Sequence, residues 1–181
     1  FVTTQSHLQS TFIGRVIPLA EEFHNMGHAV TILAHSESSI PYDLHGVNSR
    51  VVITGQNPFS RTKNGKKLRS GIALLAIMKL SALRAAWKLL VIRPDAIIIV
   101  KPLPENTLAV LLAKVFLWNT KVTLDSDDFE LFANRISSFF ERAAIHLSER
   151  IASYLASHII VATPFLLDHM KQLTGGRKNI T

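Results

Sequence analysis

Apolar positions along the chain fall into two alternating patterns. Phe12, Ile13, Val16, Ile17, Leu19, Ala20, Phe23 and Met26 recur at helical spacing, and Gly27 closes the run as a C-cap. Pro18 inside that window marks either the first turn of a regular helix or a kink, because an interior proline loses a backbone bond and crowds the preceding turn. The run His28–Leu33 is short, apolar and rich in β-branched residues, which predicts a strand directly after the helix. Phe1–Thr4 reads as the tail of an earlier strand and Arg50–Thr54 as a third, followed by "GQNPFSRTKNGKK", whose Gly, Asn and Pro content predicts a loop.

The alternation continues. Leu68–Ile92 predicts a long helix stopping before Arg93-Pro94, and "DAIIIV", Asp95–Val100, is an unbroken apolar run, the pattern of a strand buried on both faces. Glu105–Trp118 reads as a helix, "KVTL" from Lys121 to Leu124 as a strand, Asn134–Ala156 as a helix and "HIIVA" from His158 to Ala162 as a strand. Pro164–Leu173 is a last helix with proline in its first turn, ended by Gly175-Gly176. Strands lacking in/out alternation between helices predict a doubly wound parallel α/β sheet, Rossmann-like, over residues 1–181 as one domain. Ligands of such sheets lie outside the carboxyl ends of the strands, here the loops after Thr4, Val100, Leu124 and Ala162.

Composition adds three constraints. With 181 residues, 48% of them hydrophobic, the chain can bury a sizeable core. It has no cysteine, so disulfide and thiolate chemistry are excluded and a reducing, cytoplasmic setting is the simplest expectation. It opens on Phe1 in a strand-like pattern, which reads as a chain cut inside an element. No apolar run reaches the roughly 20 residues that span a bilayer, the longest, Ile151–Leu167, being interrupted by His158 and Pro164, so the expectation is a soluble or peripheral protein.

The net charge of +7 is unevenly distributed. Ten Lys or Arg and no acid lie between Leu44 and Pro94, which leaves ten bases against thirteen acids, a balance of −3, elsewhere. Such a block attracts phosphate or an anionic surface. Lys66, Lys67, Arg69, Lys79, Arg84 and Lys88 alternate with Phe59, Leu68, Ile72, Ile77, Met78 and Trp87, as in segments that lie in a membrane interface. The alternative is a solvated helix surface, since the basic positions are spread around the helical wheel. Nucleic acid is not expected as a partner, because no recognition motif accompanies the charge.

Three segments carry a family resemblance. "GRVIPLAEEFHNMGHAVTIL", "RPDAIIIVKPLPENTLAVLLAK" and "ERIASYLASHIIVATPFLLDHMKQLTGGRKNIT" resemble, in order and spacing, the N-terminal, acceptor-side domain of GT-B glycosyltransferases of the family 4-like type. The resemblance implies a sugar transferase using a nucleotide-sugar as co-substrate, with no metal or other cofactor. It also implies a carbohydrate or lipid-linked acceptor, and a second, donor-binding domain beyond Thr181, without which the chain does not turn over. In that family the loop after the first strand is often glycine-rich; here "TTQSHLQSTFIG" holds only Gly14, so Ser10, Thr11 and the helix start would supply the donor contacts. Asp125 stands where the family's histidine would be.

The acidic stretch "LDSDD" after the sixth predicted strand admits four readings. Asp125, Asp127 and Asp128 form a solvated loop that caps the next helix or pairs with Arg135. Alternatively they face an interdomain cleft, where an acid, Asp127 before Asp125, orients an acceptor hydroxyl or accepts its proton. A third reading is an Asp-x-Asp that holds a divalent ion on a sugar diphosphate. The fourth is a haloacid-dehalogenase-type phosphatase motif, with one aspartate as nucleophile.

Other candidate substrate contacts are Asp128 and Thr163, His7 in the first loop, and Lys101, a cation at the end of a buried strand that suits an acceptor phosphate or carboxylate. No metal site is expected, since His24 and His28 flank Gly27 and do not share a helical face. Two functions stand at this point: the acceptor-side half of a glycosyltransferase, peripheral on the cytoplasmic membrane face, or a non-catalytic basic module that docks on anionic membranes or polyanions.

Overall fold

The computed structural model of the chain describes residues 1–6, 9–36, 47–56, 59–62, 65–68, 72–129 and 139–181. They form two compact units, Phe1–Ala85 and Ala86–Thr181. Both are α/β and contain parallel strands, as the alternation of patterns predicted, and in the second unit a helix lies between each pair of successive strands.

In the first unit, β1 (Thr31–Ser36) and β2 (Arg50–Gln56) pair in parallel, and Val2 forms a single parallel bridge to Leu33. β1 begins three residues later than the apolar run suggested. Gly27, at φ +89°, and the bond from His28 N–H to Phe23 O still belong to the end of the preceding helix. That helix, α1 (Ile17–Asn25), is entered through a π-helical turn, Phe12–Val16, in which Ile17 N–H bonds Phe12 O, five residues back. Pro18 sits in the first turn of α1, the first of the two expected placements, and the turn before it is π-helical. A proline crowds the carbonyl four residues before it, and the wider π turn relieves that crowding. Phe12, Val16 and Ala20 are fully buried.

The segment expected to be a loop is instead an antiparallel hairpin of β3 (Phe59–Thr62) and β4 (Gly65–Leu68), with Ser60 opposite Lys67 and Arg61 opposite Lys66. Thr62 pairs with Gly65, so part of the Gly and Lys content that suggested a loop is paired strand. α2 (Ile72–Ile92) therefore starts later than Leu68, which β4 takes.

Helix α2 shows an inverted pattern. Its buried face is made of small residues, Ser81, Ala82, Ala85 and Ala86, with Leu89, while Leu80, Leu83, Trp87 and Val91 form an exposed stripe. Small residues permit close approach: a Cβ on Gly55 of β2 would come within 2.6 Å of Ser81 Cβ and 2.8 Å of His35 Nε2. Gly55→Ala is expected to lower stability by about 1–2 kcal/mol, the cost of overpacking, as read from the urea midpoint.

In the second unit, β5 (Ala96–Val100), β6 (Lys121–Ser126), β7 (His158–Val161) and β8 (Asn179–Ile180) form one parallel sheet in that order. The crossovers hold α3 (Pro104–Lys114), α4 (Phe139–Leu155) and α5 (Pro164–Thr174). α3 ends before Trp118 because Phe116 and Leu117 both turn back to Ala113 O, while the Lys114 ammonium binds the carbonyls of Trp118 and Thr120. β6 runs two residues past Leu124, since Asp125 and Ser126 pair with Ile160 and Val161 of β7. The sheet is covered by Ile97, Ile99, Leu124, Ile159, Leu166 and Met170, all 2% exposed or less. Among the described residues no helix is long and apolar enough to cross a membrane.

Candidate functional site at the carboxyl edge of the second sheet

β5 and β6 are adjacent and parallel, so their carboxyl ends open at the same edge. Lys101 follows β5 directly, in the left-handed region at φ +66°. A non-glycine residue there is strained, and three bonds hold it. Its N–H donates to Asp125 O (3.0 Å), and its carbonyl accepts from Leu103 N–H (2.8 Å) and from Asn106 Nδ2 (3.2 Å). Asn106 Nδ2 also donates to Val100 O at 2.9 Å, so the first turn of α3 clamps the strand end. Pro104 in that turn pre-sets φ for the helix.

The clamp aims the Lys101 side chain, 8% exposed, at the two aspartates beyond β6. Its ammonium lies 2.5 Å from Asp128 Oδ2 and 3.4 Å from Asp127 Oδ1, the second an ion-pair contact without hydrogen-bond geometry. Asp127 is mostly buried and Asp128 half exposed. Burial pushes the Asp127 carboxyl above its ordinary range against the pull of Lys101, and the neighbouring charges of Asp128 and Asp125 push the same way. Desolvation therefore outweighs the ammonium at this carboxyl, which makes Asp127 the more basic when ionised. Asp125, by contrast, is 1% exposed within β6, and Ser126 beside it is fully buried.

A second carboxyl lies in the first turn of α3. Glu105 is 6% exposed, its Oε1 has no hydrogen bond among the described residues, and burial pushes its pKa up to about 7. Glu149 of α4, 1% exposed, meets His169 Nε2 of α5 at 3.1 Å. Phe129, next to Asp128, packs edge-on to the His169 ring and to Phe165. Sequence reasoning missed Glu105, Asn106, Glu149 and His169. Pro104-Glu105 is a good helix start, but nothing local distinguishes a buried first-turn acid from a solvated one, and Glu149 and His169 are twenty residues apart.

The structure thus brings Lys101, Asp127 and Asp128 together and leaves Asp125 inside the sheet. Thr163 is exposed, but its hydroxyl accepts from Leu166 N–H as the cap of α5. In the first unit, Ser10, Thr11 and Gly14 lie at the start of the helix that leads into α1; Ser10 and Gly14 are exposed, and a Cβ on Gly14 would meet nothing within 4 Å. Lys79, Arg84 and Lys88 are exposed on α2. His7, Arg69 and Arg135, and the side chains of Lys66 and Lys67, lie outside the described residues. Among the described residues no three His, Asp or Glu converge as metal ligands. Lys101 holds the position between Asp127 and Asp128 that a cation shared by them would need.

A parallel α/β sheet with an acid and a cation at its carboxyl edge defines a Rossmann-like unit, in which ligands lie outside the carboxyl ends of the strands. The chain belongs to the glycosyl transferase 4-like domain family, whose profile matches residues 15–181. A comparison with curated proteins finds no match.

Proposed function

We propose that the chain is the acceptor-side half of a GT-B glycosyltransferase that moves a sugar from a nucleotide-sugar to an acceptor hydroxyl, with Asp127 receiving or orienting the hydroxyl proton. Family membership supports sugar transfer in general. The observation that carries the finer reading is the Asp127 carboxyl, raised by burial yet kept beside a cation at the carboxyl edge of the sheet.

A base works best when its pKa approaches the working pH, and partial burial moves a carboxyl that way. Lys101 limits the rise by favouring the ionised Asp127 carboxylate, and it pairs with Asp128, a competing acceptor. In the first unit, Ser10 and Thr11 and the amides at the helix start are the groups suited to the donor diphosphate. No step is assigned to a metal.

The test is nucleotide release from UDP- and GDP-sugars by the full-length protein, with and without EDTA. Release that persists in EDTA is expected, and Asp127→Asn should lower kcat about 10²-fold, the size of a general-base contribution, with circular dichroism unchanged. An unaffected Asp127→Asn rate would remove the assignment of the base. Release abolished by EDTA would return the aspartates to a metal-binding role, and no release from any donor would favour a docking module without chemistry.

A further inference from the structure

At the opposite edge of the second sheet, the amino ends of β5 and β6 are tied together: Thr120 Oγ1 donates to Pro94 O at 2.9 Å and Lys121 N–H to Asp95 O at 3.0 Å. This joins the end of α2 to the turn after α3. Both carry large apolar side chains into solvent. Trp87 is 66% exposed and Trp118 74%, and Val91, Val115 and Phe116 are exposed with them. A folded chain normally buries such residues, and here α2 buries alanines instead.

The charge around the patch is positive. Lys88, Arg93 and Lys121 are exposed, and Asp95 is the one exposed acid between Ala86 and Lys121. Patches that bind a partner protein commonly lose charge at their centre, lysine above all, and have a polar rim. Tryptophans ringed by Lys and Arg match the interfacial zone of a bilayer, where indole rings sit at headgroup level and long basic side chains reach anionic lipid.

We propose that this edge of the second unit docks on an anionic membrane surface, with Trp87, Trp118 and Phe116 entering the headgroup region and Lys88, Arg93 and Lys121 bound to lipid phosphates. The assignment does not depend on the catalytic reading, because it uses the opposite edge of the sheet. It keeps Lys88 of the basic segment that the sequence singles out and adds Arg93, Lys121 and the end of α3.

Trp87 and Trp118 are the only tryptophans among the 181 residues, so the fluorescence of this 181-residue chain reports on the patch. Phosphatidylcholine vesicles with phosphatidylglycerol should shift the emission to the blue and allow quenching by brominated lipid. Pure phosphatidylcholine should do so weakly, and high salt should reverse the effect. Trp87→Phe and Trp118→Phe should each retain a shift from the remaining indole. Lys88→Gln and Lys121→Gln should weaken vesicle binding about fivefold each, while Lys171→Gln on α5 leaves it nearly unchanged. No shift with anionic vesicles at low salt, or equal binding by the charge variants, overturns the proposal. A blue shift that grows with protein concentration without lipid overturns it too, and identifies a second copy as what covers the patch.

Discussion

Glu105→Met will stabilise the protein by about 3 kcal/mol at pH 8 and remove the loss of stability that the wild type shows as the pH is raised from 4.5 to 7. Burial without a hydrogen bond at Oε1 raises this carboxyl from 4.5 to about 7. The folded state therefore holds a proton that the unfolded state has released, and stability falls with rising pH across that interval. Below 4.5 both states are protonated and the cost disappears; above 7 the full penalty of an ionised, desolvated carboxylate remains. Methionine matches the shape, keeps helix propensity and has no charge to desolvate. Urea denaturation at pH 4.5 and pH 8 measures the difference directly. A variant no more stable than wild type at pH 8 would mean that Glu105 is ionised and solvated. His35 acts in the opposite sense: burial lowers it to about 4, so its contribution is present above 6.5 and is lost as the pH falls through 4. Removing Glu105 should leave that acid-side loss exposed.

Lys101→Met will cost about 2–3 kcal/mol at pH 8, less than the loss of a fully buried partner because Asp128 is half exposed and can be hydrated. The cost should shrink on acidification. Without the ammonium, Asp127 keeps the burial and the neighbouring charges that raise its pKa and loses the one nearby group that lowers it. Protonation of Asp127 then relieves the uncompensated charge at a pH where the wild type is still ionised. Lys101→Gly separates the backbone from the side chain. It loses the same ion pairs but accepts φ +66° without strain, so it should be more stable than Lys101→Met by about 1 kcal/mol. If the two variants are equally stable, the left-handed conformation at Lys101 stores no strain. In the glycosyl transfer assay both variants should lose activity, since Asp127 loses the cation that favours its proton-accepting, ionised form.

Most of the fold was legible because it rests on local pattern. The unbroken "AIIIV" run gave β5, Gly27 and Gly175 gave two helix ends, and the order of helices and strands gave a parallel sheet. What was misread lay where local signals compete. Gly65, Lys66 and Lys67 have loop-like composition yet pair with β3, and an aspartate after Leu124 suggests the end of β6 because aspartate is depleted in strands. Pairing with β7 keeps Asp125 inside the sheet.

The candidate site divides the same way. The sequence by itself determined that acids and a lysine follow two buried strands, and the connectivity of parallel sheets puts those strand ends at one edge. Only the tertiary structure decided which acid the cation meets, which carboxyl is dry enough to shift, and that α2 turns Leu80, Leu83 and Trp87 outward. Those outcomes depend on distances and burial between residues far apart in the chain, such as Lys101 and Asp128 or Glu149 and His169. Residue type and spacing fix what a side chain can do, and the solvent and charges around it, set by packing, fix which of those things it does.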